Sequence, residues 1–472
     1  MVRNGRRVDL TEGRILPKLL LFTLPIIATN LLQILYNAAD MIIVSLSSEP
    51  NAVGAVGSTS PFVAMITNIF IGFSVGANVT IAKYIGASDR DRASRATHTS
   101  IILSVLLGIL AGTVGFAMSR IVLGWMGAPE SIIDLSTLYT RIYFVGMPFI
   151  SLTNTLAAVC RARGDSSTPL VVLSLSGLVN VGLNCLMVLG FGMSVEGVAI
   201  ATVAANLLSA LILWVKLRRS EDEYTALSPS RLRIDPSLLR EIVHIGLPSA
   251  VQGAFISLSN MIMTSSLCEV EAILTPDPKY SPVLNGNSAQ NNLDSFVYTS
   301  TNAVYQGVVT FTGQNHGAKN YRRVLRGLLS GMLLSALIGA FISGVILLFH
   351  EPLLSLYGIV PGEPGSVAAI SLEVATKRAA IVTSMYFLCG LMDSCNGALR
   401  GMGRSITTFV LSFFGMCVLR VFWNLVIFPL DKTVETVYVG FPMSWLITFI
   451  VSFTICITVL RREMARERCA EK

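Results

Sequence analysis

Charged residues are scarce in this chain. Only 13% of its 472 residues are Asp, Glu, Lys or Arg, against about 25% in an average soluble protein. With 53% hydrophobic residues and a mean hydropathy of +0.66, the composition excludes an ordinary water-soluble domain. Long apolar runs, such as residues 101–116 and 328–349, predict a polytopic membrane protein instead.

Several chemical motifs are also missing. No G-x-x-x-x-G-K-[ST] phosphate-binding loop occurs, so the chain has no motif of this kind for ATP hydrolysis. The four histidines and eight cysteines lack the spacing of a metal site or a disulfide framework, and no serine stands in a nucleophile elbow. We therefore predict a protein that is not an enzyme, has no metal or cofactor, and uses its cysteines for packing.

The chain contains an internal repeat. Three short patterns occur twice in the same order: 24–37 and 247–260, offset by 223 positions; 76–95 and 307–326, offset by 231; and 161–164 and 400–403, offset by 239. The growing offset indicates duplicated halves with two loop insertions, expected in a long outer loop at 267–292 and in a shorter outer loop at 358–366. A duplicated, strongly apolar chain is typical of a secondary transporter whose site lies between the repeats.

Apolar windows of about 20 residues predict twelve membrane-spanning helices. Their expected bounds are 18–44, 58–83, 97–122, 137–160, 168–190, 195–215, 241–266, 291–313, 326–349, 371–398, 406–428 and 438–460. The predicted fold is all-α, with six-helix lobes in 1–215 and 241–472 joined by a cytoplasmic linker, 216–240. Because six is an even number, a pseudo-two-fold axis relating the lobes would run along the membrane normal.

Basic residues predict the orientation of the spans. With both termini in the cytoplasm, 28 of the 35 Lys and Arg residues fall in inside segments and six fall outside, as the positive-inside rule expects. The net charge of +7 therefore requires no nucleic-acid partner. The basic and apolar N-terminus is interpreted as an uncleaved first span of a plasma-membrane (inner-membrane) protein.

The first span carries an acidic residue, Asp40. Charged side chains inside membrane spans are costly and usually functional. Gln33, Asn37 and Asp40 recur at three- and four-residue spacing, which places them on one helical face, and Tyr36 lies one turn before Asp40. Burial disfavours the charged form of a carboxyl group, so Asp40 could load a proton or a sodium ion outside and release it inside. Alternatively, Asp40 lies among the lipid headgroups and hydrates the helix end.

Polar residues of three other spans could complete an ion site. Tyr139 and Asn154 lie in the fourth span, Asn180 and Asn184 one turn apart in the fifth, and Thr202 in the sixth. If they face Asp40, they could hydrogen-bond its protonated form or line a hydrated ion path. The alternative is that they join helices through hydrogen bonds worth about 1 kcal/mol each.

The second lobe has different polar residues. Asp393 lies near the inner end of the tenth span, Glu373 near its outer end, and Arg420 in the eleventh span. Because an arginine inside a membrane is usually paired, we predict a structural or gating ion pair between Glu373 and Arg420. Met261 and Met263 are predicted to line an adaptable substrate cavity, with plain core packing as the alternative. Gln33, Tyr36, Asn37 and Asn154 of the first lobe are predicted to line the same cavity.

The first spans of the two lobes have a proline at corresponding positions, but the acid of one span has no counterpart in the other. Pro25 and Pro248 each remove a backbone hydrogen bond and kink the helix, so both are predicted hinges. The repeat counterpart of Asp40, 223 positions later, is Met263. The carboxylate is therefore not a feature of the duplicated scaffold.

Together, the Leu-Pro-led first spans, Asn37-Ala-Ala-Asp40, the Gly-Gln-Asn-x-Gly-Ala motif of 313–318 and the Arg-Gly-x-Gly motif of 400–403 resemble the multidrug and toxic compound extrusion (MATE) family. The resemblance covers about residues 16–460. It implies two six-helix lobes around a V-shaped cavity and export of drug-like, often cationic, compounds in exchange for H⁺ or Na⁺.

The resemblance also implies roles for particular residues. In many bacterial members an acid in the first span couples the ion, and Asp40 matches it; the polar neighbours carry over to Tyr139, Asn154, Asn180 and Thr202. Some members have a second acid one turn after the asparagine, where this chain has Asn184. Others couple sodium through acids of the seventh and tenth spans, for which Asp393 lies too near the inside. The single acid favours H⁺.

The sequence thus predicts a monomeric antiporter that exports small organic molecules by alternating access, with H⁺ or Na⁺ as its coupling ion and no ATP. A lipid or oligosaccharide flippase of the same superfamily is the main alternative. It would need more than one buried cation facing the cavity to hold pyrophosphate, and only Arg420 is predicted to be one. A channel or receptor is a second alternative, opposed by the duplication and the membrane acid. Inward transport of a metabolite is a third.

Overall fold

Helices account for nearly all regular structure in the chain. The computed structural model describes residues 8–49, 51–127, 129–274, 281–363 and 366–470, except the side chain of residue 470, and it contains no β-strand in these ranges. The α-helices are α1 Ile15–Ser45, α2 Ala52–Gly86, α3 Arg90–Trp125, α4 Glu130–Val145, α5 Met147–Ala162, α6 Ser167–Cys185, α7 Val195–Arg218, α8 Pro236–Leu274, α9 Pro282–Gly317, α10 Tyr321–Leu348, α11 His350–Ser355, α12 Val367–Arg378, α13 Tyr386–Gly401, α14 Ser405–Ser412, α15 Leu419–Phe422 and α16 Val434–Ala470. Wider π-helical turns extend or join several of them, at Leu186–Gly190, Ala379–Thr383, Phe413–Val418 and Trp423–Ile427.

The helices form the twelve predicted spans. Among the described residues, nine helical segments are long and apolar enough to cross a bilayer, and α4 with α5, bent by 49°, forms a tenth. The remaining two are α9, which is rich in Asn and Gln, and the α12–α13 segment, which a π-helical turn interrupts. Both of these helices carry buried polar side chains, which lowers their hydropathy.

The prediction of a long outer loop at 267–292 was wrong. Helix α8 continues past position 267 and α9 begins before position 292, while residues 275–280 lie outside the described part of the chain. The Glu271 carboxylate of α8 accepts a hydrogen bond from the backbone N–H of Leu284 at 2.9 Å. This contact satisfies an otherwise unpaired N–H in the first turn of α9, and the polar composition of that turn had suggested a loop.

Packing divides the chain into two units. Unit 1 comprises Met1–Gly13, Leu21–Gly253 and Gly313–Lys319, and unit 2 comprises Arg14–Leu20, Ala254–Thr312 and Asn320–Lys472. Each unit has its own buried core, which includes Ile81 and Leu156 in unit 1 and Met392 and Trp445 in unit 2. Only 22–44% of the most apolar window is buried in each of the nine segments that could cross a bilayer, so most residues of these windows are not enclosed by protein.

The two copies of the second repeated motif, 76–95 and 307–326, contact each other within unit 1. A Cβ atom on Gly86, at the end of α2, would lie 1.8 Å from the backbone oxygen of Gln314. A Cβ atom on Gly317, at the end of α9, would lie 1.9 Å from the backbone oxygen of Lys83. Positions 83 and 314 are separated by the same 231 residues as the two glycines. The contact is therefore reciprocal, and only glycine permits so close an approach of the two backbones.

Candidate functional site

Four of the predicted ion-site residues lie together in unit 1. The Asn184 amide of α6 donates a hydrogen bond to the Asp40 carboxylate of α1 at 2.5 Å. One turn earlier on α6, the Asn180 oxygen lies 3.4 Å from the Asn184 nitrogen, and the Asn180 nitrogen lies 3.4 Å from the Thr202 hydroxyl of α7. Three helices thus contribute to one polar group of residues, named here the Asp40 cluster: Asp40, Asn180, Asn184 and Thr202.

The Asp40 cluster supplies oxygen ligands and one unpaired acceptor. Asn180 and Asn184 are buried, while Asp40 is partly exposed. The Asn184 side-chain oxygen is buried and has no hydrogen-bond partner within the described residues. A buried polar atom of this kind requires an explanation, and a proton or a small cation shared with the adjacent carboxylate would provide one.

Two tyrosines of α4 border the Asp40 cluster. Tyr139 is buried, and its ring lies 6.0 Å from that of Tyr143, centroid to centroid. Tyr139 belongs to the same buried cluster as Ile43 and Val44 of α1, and Tyr143 packs against that cluster together with Met41, the residue after Asp40. Tyr139 was among the predicted site residues and Tyr143 was not, although the four-residue spacing of the two tyrosines places them on the same helical face.

The residues predicted to line the substrate cavity in unit 1 occupy different environments. Gln33 and Asn37 are exposed on α1. Tyr36 packs against α6, and its hydroxyl donates a hydrogen bond to the backbone oxygen of Ser174 at 3.1 Å. The Asn154 amide donates within its own helix. Gln33 and Asn37 are thus the two of these four side chains most available to a ligand.

The two methionines predicted to line the cavity in unit 2 lie on opposite sides of α8. Met261 is 71% exposed and Met263 is 1% exposed, because a separation of two residues is a rotation of about 200° around a helix. Met263 belongs to the buried core of unit 2. The prediction that it lines a cavity was therefore wrong, and the core alternative applies to it.

The predicted ion pair between Glu373 and Arg420 is not formed. Glu373 pairs with Lys377 one turn later, at 2.7 Å. Arg420 is 2% exposed and donates to the Ser444 hydroxyl at 3.0 Å and to the Asn260 side-chain oxygen at 2.9 Å. The nearer lysine on the same helical face competes for the carboxylate, and Arg420 lies in the core instead.

Unit 2 contains a second buried polar network, which was not predicted from the sequence. Arg378 donates from Nε to Asp294 and from its two terminal nitrogens to Asn287 and Asn291, each at 2.9 Å. Thr383 donates to the other Asp294 oxygen at 2.5 Å. The signal was available, because Asp294 lies inside the predicted eighth span and the three α9 residues of the network recur at four- and three-residue spacing.

Asp393 belongs to neither polar network. It is partly exposed on α13 and makes no hydrogen bond with the described residues. Arg400, two turns later, donates instead to the Tyr305 and Thr408 hydroxyls. The structure therefore brings Asp393 together with none of the other predicted site residues through a hydrogen bond.

Both predicted hinge prolines lie inside continuous helices. Pro25 lies within α1 and Pro248 within α8. The Thr29 hydroxyl donates to the Pro25 carbonyl at 2.7 Å, one turn away. Bending at either proline stays a prediction.

A family model named MatE matches this chain twice, over residues 25–186 and 248–426. Each match covers one copy of the internal repeat. Together the two matches cover well over half of the chain.

Curated relatives match over most of their length. The "Probable multidrug resistance protein YoeA" of Bacillus subtilis is 26% identical over 440 residues, covering 92% of this chain and 91% of that protein. The "Probable multidrug resistance protein NorM" of Thermotoga maritima is 25% identical over 410 residues, covering 85% and 83%. An "FAD transporter" of Shewanella oneidensis is 25% identical over 335 residues, covering 69% and 71%.

Solved structures share the fold. An outward-facing multidrug resistance MATE family transporter of the MOP superfamily superposes with a TM-score of 0.87 at 20% identity, covering 98% of this chain and 100% of that one. A MOP superfamily transporter from Pyrococcus furiosus, described as having a binding pocket of reverse polarity, gives 0.87 at 21% identity, covering 98% and 99%.

The fold and the matches to both repeat copies define a multi-pass membrane transporter of small molecules, a protein without enzymatic chemistry. The chain belongs to the multidrug and toxic compound extrusion (MATE) family.

Proposed function

We propose that this protein is an antiporter that expels drug-like, including cationic, small molecules in exchange for H⁺ or Na⁺. It would act as a monomer in the plasma membrane, with both termini in the cytoplasm and its two repeat copies as the moving lobes. The Asp40 cluster carries this proposal, because a membrane carboxylate lies beside a buried and unpaired amide oxygen. The names of the YoeA and NorM relatives support drug export.

Cation loading would change the hydrogen bonding between α1 and α6. In its charged form, Asp40 accepts a hydrogen bond from the Asn184 amide. A protonated Asp40 could instead donate to the Asn184 oxygen, which has no partner among the described residues. A sodium ion could bridge the same two oxygen atoms, since hard cations prefer oxygen ligands. Either cation therefore favours a different contact between the two helices.

This change could drive transport if the two states of the protein bind the cation with different affinity. Loading from outside would favour the state in which α1 bends at Pro25 and substrate is released. Return to the inward-open state would release the cation and admit new substrate. A single carboxylate balances one positive charge, which fits exchange of one H⁺ or one Na⁺.

The first test is efflux of a fluorescent cationic dye from vesicles that contain the full chain, under an imposed H⁺ or Na⁺ gradient. We expect Asp40→Asn to reduce gradient-driven efflux to the rate of protein-free vesicles, because the amide cannot take up either cation. The gradient that drives wild-type efflux identifies the coupling ion.

Asp134→Asn is the matched control for this experiment. Asp134 is an exposed acid of α4 that pairs with Arg120 at 2.6 Å. Among the described residues it makes no hydrogen bond to the Asp40 cluster, so its variant should export dye at the wild-type rate. Wild-type efflux that survives Asp40→Asn would refute the coupling role. Dye that moves under neither gradient would favour the flippase alternative.

A further inference from the structure

Unit 2 holds a buried cation without an acidic partner. Two other buried arginines of unit 2 are described above: Arg378 is compensated by the Asp294 carboxylate at 2.9 Å, and Arg400 donates to the Tyr305 and Thr408 hydroxyls. Arg420 forms no ion pair within the described residues, and its hydrogen bonds go to the neutral Ser444 and Asn260 side chains. A buried charge is costly unless it is paired. An anion bound near Arg420 would therefore stabilise the buried guanidinium.

One aromatic ring compensates part of this charge. The guanidinium carbon of Arg420 lies 4.5 Å from the centre of the Phe441 ring, a distance at which the ring face attracts a cation. The ring holds the guanidinium in place and supplies no negative charge. It therefore leaves the site electropositive.

Arg420 and the residues in contact with it, Asn260, Ser444 and Phe441, are named here the Arg420 site. The Arg420 site reaches the surface of unit 2 through Asn260. The Asn260 oxygen accepts from Arg420, and its amide nitrogen has no acceptor within the described part of the chain. Ser257, Asn260 and Thr264 are all exposed and recur at three- and four-residue spacing, which forms a polar stripe on α8. Polar stripes in membrane spans usually face water rather than lipid.

The Arg420 site is the repeat counterpart of the Asp40 cluster. Arg420 and Asn424 lie 240 positions after Asn180 and Asn184, one more than the offset of 239 between 161–164 and 400–403. The π-helical turn Phe413–Val418, which precedes Arg420, accommodates the extra residue. Arg420 bonds to Ser444 of α16, the last span of unit 2. In the same way, Asn180 contacts a hydroxyl of α7, the last span of the first repeat. Asn424 donates to a backbone oxygen of α8, as Asn184 donates to α1.

The two counterparts differ in charge. The acid of the first copy, Asp40, is replaced in the second by Met263, which is buried in the core. The neutral Asn180 of the first copy is replaced by Arg420. The same scaffold therefore carries a negative site in unit 1 and a positive site in unit 2.

We propose that Arg420 and Asn260 bind the carboxylate group of a transported organic compound. The Asn260 amide would donate to the carboxylate, while the guanidinium behind it polarises that amide and supplies the opposite charge. Hydrogen bonds to charged groups are stronger than neutral ones. This inference rests on the proposed export function, because it names the chemistry of the substrate.

The test is equilibrium binding of two dyes to the full chain in phosphatidylcholine nanodiscs with a gluconate buffer, measured by fluorescence polarisation. One dye is a rhodamine with a free carboxylate, and the other is its methyl ester. We expect the wild type to bind the carboxylate dye about tenfold more tightly, the value of one charged hydrogen bond. The experiment uses no ion gradient, so loss of coupling at Asp40 would not affect it.

Two variants separate binding from folding. Arg420→Gln removes the charge, and Asn260→Asp keeps Arg420 and provides it with a carboxylate of nearly the same shape. Both should lose the preference for the carboxylate dye and bind the ester within twofold of wild type. Asn292→Asp adds the same charge at an exposed position elsewhere in unit 2 and should keep the preference.

Equal binding of the two dyes by the wild type would overturn the proposal, and so would a preference that survives both variants. Repeating the measurement with chloride, or with anionic lipid in the nanodisc, tests two other sources of negative charge. If chloride or anionic lipid at its physiological concentration removes the preference for the carboxylate dye, the site binds an inorganic anion or a lipid headgroup rather than a substrate. Retention of the preference in both conditions supports the assignment.

Discussion

Replacing Arg378 by methionine should lower the free energy of unfolding by about 3–5 kcal/mol, because it leaves the buried Asp294 carboxylate without its cation. Asp294→Asn should cost a similar amount, since it leaves the guanidinium unpaired. Arg378 is 5% exposed and Asp294 is 1% exposed, so water can replace neither partner. Thermal unfolding of the purified chain in detergent, followed by circular dichroism, measures both effects.

Two further variants make this prediction specific. Lys377→Met, at the neighbouring position, removes only partly exposed ion pairs with Glu373 and Glu435 and should cost less than about 1 kcal/mol. The double variant Asp294→Leu with Arg378→Met should recover much of the loss, because no isolated charge remains. A single Arg378→Met variant as stable as Lys377→Met would show that the buried pair does not hold unit 2 together.

After the buried ion pair, substitutions at the reciprocal contact of Gly86 and Gly317 should lower the free energy of unfolding most. Gly86→Ala and Gly317→Ala should each destabilise the chain by about 1–3 kcal/mol, the usual cost of overpacking a tight contact. In both variants the new methyl group would overlap a backbone oxygen, which cannot move aside as a flexible side chain could. Because the contact is symmetric in the repeat, the two costs should be similar.

Gly344→Ala is the matched control for the glycine variants. Gly344 lies inside α10, and a Cβ atom there would meet nothing within 4 Å. This variant should be neutral or slightly stabilising, since alanine favours a helix by up to about 1 kcal/mol over glycine. The unfolding midpoints of the three variants, measured in the same detergent, test whether only the two contact glycines are sensitive to an added methyl group. Equal midpoints would contradict the tight contact between α2 and α9.

Much of the fold could be predicted from the sequence because membrane spans are defined by local composition. Hydropathy identified the helices, and the collinear motifs identified the duplication that the family model matches twice. The long outer loop was the main error. From position 282 its polar residues belong to the first turns of α9, which a carboxylate of α8 caps. Hydropathy cannot distinguish a polar buried helix from a loop.

The composition of the Asp40 cluster was also predictable. A lone acid in an apolar span and polar side chains one turn apart on two other spans are local features of the sequence. The partners of individual side chains were harder to predict. Arg420 was expected to pair with Glu373 and contacts Asn260 and Ser444 instead.

The sequence alone therefore determined that this protein is a duplicated bundle of membrane helices with an acid in its first span, because periodicity, hydropathy and charge are properties of short segments. Only the tertiary structure decided which side chains meet: Asn184 with Asp40, Arg378 with Asp294, and Arg420 with no acid among the described residues. These pairings depend on the rotation and depth of each helix, which are set by packing against neighbouring helices rather than by the segment itself.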